Sequence, residues 1–238
     1  MVTGASGGIG RVLVKELLTR GAIVGAHYHK NKPNINKLIP NAKLKKNIRI
    51  FRADLRSVEE AESLFEGFIE WADGIDGLVN NAGDVCIRKH FFELEEKEID
   101  SDLALNLKVP FWLSKLVIEN MKKNRTKGAI ENISSISAKF GGSPYTLFYG
   151  LSKAVLEVMT FSLGRYCAPF GIRINALRLG VFDTPFHQRH AKDLTERIRM
   201  IPAKRMGNPE EAAWWIIHLL DKKSAYMNGQ VVCLTGGE

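Results

Sequence analysis

The chain of 238 residues carries 34 Lys and Arg against 26 Asp and Glu, a formal net charge of +8. With 45% hydrophobic and 25% charged residues it has the composition of a soluble globular protein, and no apolar run approaches the roughly 20 residues that cross a bilayer. The basic residues are dispersed in short runs such as Lys43-Leu44-Lys45-Lys46 and Lys122-Lys123-Asn124-Arg125, which excludes the recognisable nucleic-acid modules; the surplus charge can instead collect an anionic cofactor or substrate.

The chain opens on Thr3-Gly4-Ala5-Ser6-Gly7-Gly8-Ile9-Gly10, followed by Val12, Leu13, Leu17 and Leu18 at helical spacing. Glycines let a backbone turn tightly and approach a ligand with no Cβ in the way. The helix beyond presents unpaired N–H groups and the positive end of its dipole to an anion. This is the pattern of a dinucleotide pyrophosphate site at a first strand-to-helix turn, although the spacing departs from G-x-G-x-x-G. Only Met1 and Val2 precede it, where a buried central strand needs about five residues, so a truncated first strand is expected. No basic-then-apolar segment stands ahead of the glycines, which predicts a cytoplasmic location.

Further strands are expected over 22–28, 47–53, 77–80, 129–134, 172–179 and 230–234. They alternate with helices over 58–71, 98–122, 149–170 and 209–220. The alternation predicts an α/β, three-layer doubly wound Rossmann fold on a seven-stranded parallel sheet, one domain over 1–238. The second strand ends in Tyr28-His29-Lys30-Asn31-Lys32, with no acid and two lysines. An acid there would bind the ribose hydroxyls of NAD and repel a 2′-phosphate, so its absence favours NADP, with NAD possible. Cys86, Cys167 and Cys233 lack metal-ligand spacing and read as buried thiols in a reducing compartment. His187 and His190 have no carboxylate or thiol at fitting spacing and read as part of a polar lid, not a metal site. Trp214 and Trp215 read as core or subunit contact.

Tyr149 and Lys153 stand four apart on one helix face. A free Tyr titrates near 10, and a neighbouring cation lowers that value, which equips the pair to move a proton during carbonyl–alcohol interconversion. Together with the Gly-rich turn, this pair resembles the short-chain dehydrogenase/reductase family, in the family's order over essentially the whole chain. Asn80-Asn81-Ala82-Gly83, Asp54 before Leu55, Asn106, Asn132-Ile133-Ser134-Ser135 and Gly180-Val181-Phe182-Asp183-Thr184 carry the likeness onward. The resemblance implies cofactor contacts from Gly4, Ser6, Gly8, Ile9, Gly10, His29, Lys30, Asp54, Leu55, Asn81, Ala82, Gly83, Tyr149, Lys153 and Thr184. It implies a catalytic set of Asn106, Ser135, Tyr149 and Lys153, in which Lys153 depresses the Tyr149 pKa, Ser135 holds the substrate oxygen and Asn106 a relay water.

Three features depart from the family pattern: the short first strand, Leu179-Gly180 where Pro-Gly is usual, and one extra residue between Ser135 and Tyr149, which leaves Ser134 and Ser137 as competitors. The segment 201–211 resembles the 3-oxoacyl-[acyl-carrier-protein] reductase branch, which implies reduction of a 3-oxoacyl thioester; the same stretches are shared with sugar, polyol and secondary-alcohol dehydrogenases. Residues 143–148 and a lid at about 184–206 are expected to shape the substrate pocket, with Arg189 and Lys192 suited to an anionic substrate. A homodimer or homotetramer built on the helices around Asn106 and Tyr149 is also implied. A non-catalytic dinucleotide sensor or scaffold, suggested by the departures, is the reading from another class.

Overall fold

The structure is a computed structural model that describes residues 1–34, 41–190 and 194–238. Six strands are described: β1 (Val24–Tyr28), β2 (Ile48–Arg52), β3 (Gly77–Asn80), β4 (Ala129–Ser135), β5 (Arg173–Leu179) and β6 (Val231–Leu234). All the pairings are parallel: β1 with β2, and β3-β4-β5-β6 in that order. Val2 joins the two groups, bridging Ala26 on one side and Val79 on the other. The Val2 N–H donates to Gly25 O at 2.9 Å, and Thr3 N–H donates to Val79 O at 3.0 Å. The spatial order is therefore β2-β1-Val2-β3-β4-β5-β6, with the reversal of direction falling at the Gly-rich turn, where open α/β sheets bind ligands.

Successive side chains of a strand point to opposite faces. Accordingly Leu78 joins the cluster of Leu64, Phe68, Leu113, Val117 and Met121, while Val79 joins that of Leu13, Leu18, Ala212 and Ile216. The first cluster packs α2 (Val58–Ala72) and α4 (Val109–Asn124) on one face; the second packs α1 (Gly8–Thr19) and α9 (Pro209–Leu220) on the other. Both faces being covered, β4 and β5 are buried almost throughout. Glu131 is the one ionisable side chain on β4. It is fully buried opposite Asn175 and near Arg173, and burial pushes its pKa up to about 8, with Asn175 and Arg173 offsetting part of that rise.

Two helices differ from expectation. The stretch 98–122 divides into α3 (Glu96–Leu103) and α4, separated by a π-helical turn over Ala104–Lys108 that carries buried Asn106. The helix expected over 149–170 is α6 (Leu147–Cys167), which gives way to a 3₁₀ turn at Ala168–Phe170, where Pro169 cannot continue the α-helical bonding. Short helices α5 (Ser137–Phe140), α7 (Pro185–His190) and α8 (Leu194–Met200) flank the site. Of the three thiols only Cys167 is buried; Cys86 is half-buried and Cys233 exposed, correcting the expectation for these two. Among the described residues no helix is long and apolar enough to cross a membrane.

Candidate active site

A cleft of about 1120 Å³ opens beyond the carboxyl ends of the strands, and every expected site residue except Asn106 lines it. At one end the Gly-rich turn owes its shape to missing side chains. Gly4 has φ +64, and a Cβ there would lie 2.9 Å from Ala82 Cα; a Cβ on Gly10 would lie 2.3 Å from Gly4 O. Gly7, the N-cap of α1, offers the first turn no side-chain cap, so its N–H groups remain for an anion. These are the features a dinucleotide pyrophosphate requires, and Gly4, Gly8, Ile9 and Gly10 are the residues that would hold it.

Thr3 braces the turn from behind. Its Oγ1 donates to Val79 O at 3.2 Å and accepts the N–H groups of Asn81 and Ala82 at 3.0 and 2.9 Å. Asn81 Nδ2 donates to Thr3 O and Gly4 O at 2.8 and 3.1 Å, fastening the end of β3 to the turn. At the adenosine end, Asp54 accepts from Arg56 Nε at 2.9 Å and lies 3.6 Å from His29 Nε2. The Arg56 guanidinium holds the Asp54 carboxyl below the usual carboxylate range. Lys30 and Arg56 both line this end, whereas Lys32 does not.

At the other end stand Ser135, Tyr149 and Lys153. Burial pushes the Tyr149 phenol up to about 12, opposed by a hydrogen bond with Ser135, while nearby Asp84 and Asp102 add to the rise. Lys153 is also buried and is lowered to about 8; its Nζ donates to Ile133 O at 2.8 Å and stands 5.8 Å from the Tyr149 ring centre. The expectation that Lys153 depresses the Tyr149 pKa is therefore not met: loss of solvent raises it, and Lys153 is not among the groups that shift it. Tyr149 stands as the neutral phenol, the form that gives a proton.

Of the competing serines, Ser134 is directed away, its Oγ donating to Glu157 Oε1 at 2.6 Å. Ser137 lines the cleft, and its N–H donates to Ser135 Oγ at 3.2 Å. Ser152 bonds the helix backbone, donating to Tyr149 O at 2.8 Å. Asn106 sits behind the site, its Nδ2 donating to Asp84 O and Asp102 O at 2.8 and 3.0 Å. A Cβ on Gly83 would lie 2.9 Å from Asn106 Oδ1 and 3.0 Å from Lys153 Nζ, so Gly83 is the gap through which the two approach.

The departure at Leu179-Gly180 has a counterpart here. Arg178, just before it, donates from Nε to Glu157 Oε1 at 2.9 Å and from NH2 to Oε2 at 2.5 Å. One ion pair thus ties the end of β5 to α6, with Ser134 as third member. Glu157 lies one turn beyond Lys153 on the same helix face, a signal the sequence carried. Thr3, His27 and Arg56 are further residues that motif reading passed over; a histidine within the apolar run 22–28 was the trace of one of them. Ser143, Thr146, Phe186 and His187 line the substrate end. Lys192, and the side chains of Arg189 and His190, lie outside the described residues. Trp215 packs against the core, and Trp214 is half-exposed and does not line the cleft. Among the described residues no group of three or more His, Cys, Asp or Glu is placed to hold a metal.

A family model described as Enoyl-(Acyl carrier protein) reductase matches residues 4–238. The 3-oxoacyl-[acyl-carrier-protein] reductase FabG of Thermotoga maritima is 30% identical, the match covering 100% of this chain and 96% of that protein. L-rhamnose 1-dehydrogenase (NAD(P)(+)) of Azotobacter vinelandii is 31% identical over 100% of this chain and 94% of its own. Among solved structures, the NADH-dependent reductase A1-R' responsible for alginate metabolism superposes with a TM-score of 0.88 at 28% identity, covering 99% of this chain and 94% of that one. The same reductase complexed with NAD gives a TM-score of 0.85 at 27% identity.

Proposed function

The chain belongs to the short-chain dehydrogenase/reductase family and is an NAD(P)-dependent oxidoreductase with a Rossmann-like fold; from this premise we propose that it reduces a carbonyl to a secondary alcohol, with NADPH as reductant and a 3-oxoacyl thioester as substrate. The observation that carries the reading is the convergence of Ser135, Tyr149 and Lys153 at one end of a cleft whose other end is an uncapped helix start framed by glycines.

A bound reduced nicotinamide supplies the hydride that reaches the carbonyl carbon. The rest is the work of this chain. Gly4, Ser6, Gly8, Ile9 and Gly10 seat the pyrophosphate, Asp54 and Leu55 the adenine edge, Asn81, Ala82 and Gly83 the ribose, and Thr184 the carboxamide. His29 and Lys30 border the adenosine ribose, where Lys30 and Arg56 offer cations to a 2′-phosphate. Ser135 donates a hydrogen bond to the substrate oxygen as negative charge grows there. Tyr149 gives that oxygen its proton, and its high pKa keeps the phenol loaded at neutral pH. Lys153 holds the ribose and meets the phenolate left behind, and Asn106 positions a water that returns the proton.

A second reading, reduction of a sugar-derived carbonyl, is favoured by the likeness to the alginate-metabolism reductase and to the rhamnose dehydrogenase. The sensor or scaffold reading loses its support, since Val2 bridges the two groups of strands and the Arg178–Glu157 pair anchors the altered loop. We read the line of Met1–Thr3 as the seventh strand position, and 1–238 as one domain. The exposed Val155, Val158 and Phe161 on α6 support a homodimer or tetramer, which sedimentation would test. We propose a cytoplasmic location, a reducing compartment suited to the free thiols of Cys86, Cys167 and Cys233.

Oxidation of NADPH and NADH with acetoacetyl-CoA, beside small ketones and oxidised sugars, tests the assignment. NADPH-preferring turnover of the thioester is the expected result. Turnover of the sugar-derived carbonyls alone would transfer the assignment to the second reading.

A further inference from the structure

The imidazole of His27 lies at the foot of the cleft, 2% exposed, in the middle of β1. Its main chain serves the sheet in the ordinary way: its N–H donates to Val2 O at 3.0 Å, and its carbonyl accepts from Ala5 N–H at 2.8 Å. Gly4, between these two partners, has φ +64, which turns its N–H away from the ladder. That N–H donates instead to His27 Nδ1 at 3.1 Å. On the far side of the ring Nε2 lies 2.9 Å from Ala53 O, the residue before Asp54. A carbonyl only accepts, so the proton is on Nε2 and the ring is neutral, with both nitrogens engaged.

We propose that His27 is a positioning residue that ties the pyrophosphate turn to the adenosine end of the cleft, and that its protonation releases the turn and weakens dinucleotide binding. The inference rests on the dinucleotide reading of the cleft. Protonation places N–H against N–H between Nδ1 and Gly4, two donors with no acceptor, while the bond to Ala53 survives. The loss therefore falls on the turn. The groups facing the ring are Ala53 O and Asp54 at the end of β2, Glu60 on α2 and His29 at the end of β1. Burial outweighs them and sets the ring's pKa below its ordinary 6.5. With its pKa lowered in this way the ring is still neutral and the hold intact at about pH 6.5, and the hold is lost as the pH falls further, through the ring's own pKa.

The test measures the Kd of NADPH and NADH by tryptophan fluorescence quenching between about pH 8 and pH 5 for the wild type, His27→Leu and His27→Asn. The wild-type Kd should rise about tenfold on acidification, and His27→Leu should bind about tenfold more weakly throughout with a flatter profile, as loss of one buried hydrogen bond predicts. His27→Asn, whose Oδ1 takes the place of Nδ1 and can accept from Gly4 without titrating, should recover neutral affinity and stay flat. Turnover at saturating cofactor should change less than about threefold, because Tyr149 and Lys153 are untouched. Wild-type affinity and an unchanged pH profile in His27→Leu would overturn the proposal. If the wild type binds neither nucleotide at any pH, the dinucleotide reading fails. The tie itself is then decided by NMR: a Gly4 amide signal that follows the His27 ring titration supports it, and one that does not refutes it.

Discussion

The two ends of the cleft are built on opposite principles. At the cofactor end the working parts are backbone groups, and the side chains that matter are those left out: Gly4 and Gly10 close a turn that any Cβ would wedge open. At the substrate end the working parts are side chains, and their chemistry is set by how much water the packing removes. Tyr149 and Lys153 are pushed in opposite directions by the same burial. A backbone site is written directly in residue identities, whereas a titratable site is written in its surroundings.

Mutation can separate the two ends. Tyr149→Phe should lower kcat by about 10²–10⁴ while leaving the Kd of the dinucleotide near wild type, since it removes only a proton donor; turnover near wild type would unseat Tyr149 from its role. Arg178→Ala leaves the largely buried Glu157 without its ionic partner, and urea unfolding should show a loss of about 3 kcal/mol. The fall in kcat should exceed the rise in cofactor Kd, because β5 and α6 both serve the substrate end. Gly10→Ala is the converse: overpacking the turn should cost about 1–3 kcal/mol and weaken the dinucleotide at least tenfold, with kcat at saturation little changed. Equal loss at both ends in these variants would mean that the cleft behaves as one unit.

Glu131→Gln has the smallest effect and serves as a control outside both ends. The folded pKa of Glu131, about 8, lies above the ordinary carboxylate value, so the stability it permits is present at low pH and is lost as the pH rises from about 4.5 through 8. The melting temperature of the variant should be flatter over that window, and higher than wild type at the alkaline side. His27 acts from the acid side, in the opposite sense.

The sequence made the first end legible and much of the second. Alternating apolar runs located the strands to within one or two residues, because a parallel sheet covered on both faces must be written in nearly continuous apolar stretches. Ser135 could be preferred over its neighbours from its context, and the structure supplies the reason, the engagement of Ser134 by Glu157. The π turn at Asn106 is not legible: its residues suit an α-helix, and only the structure shows the turn together with the bonds from Asn106 Nδ2 to Asp84 O and Asp102 O. The direction of the Tyr149 pKa is not legible either, since spacing reveals a neighbouring cation and nothing of solvent. In the sequence His27 is only a histidine within an apolar run, since no local pattern announces a partner 23 residues away.

Val2 also bears on the order of assembly. The bonds that knit the two groups of strands run from Met1–Thr3 to residues near 25 and near 79, and Thr3 meets Asn81 across 78 residues of chain. The link from Val2 to Val79 closes the longest loop of any neighbouring pair in the sheet, and such contacts are rewarded late. The seam between the two groups of strands is thus expected to be among the last parts of the sheet to form, after β4 and β5 have paired. In pulse-labelled refolding, the amides of Val2 and Val79 should gain protection after those of β4 and β5.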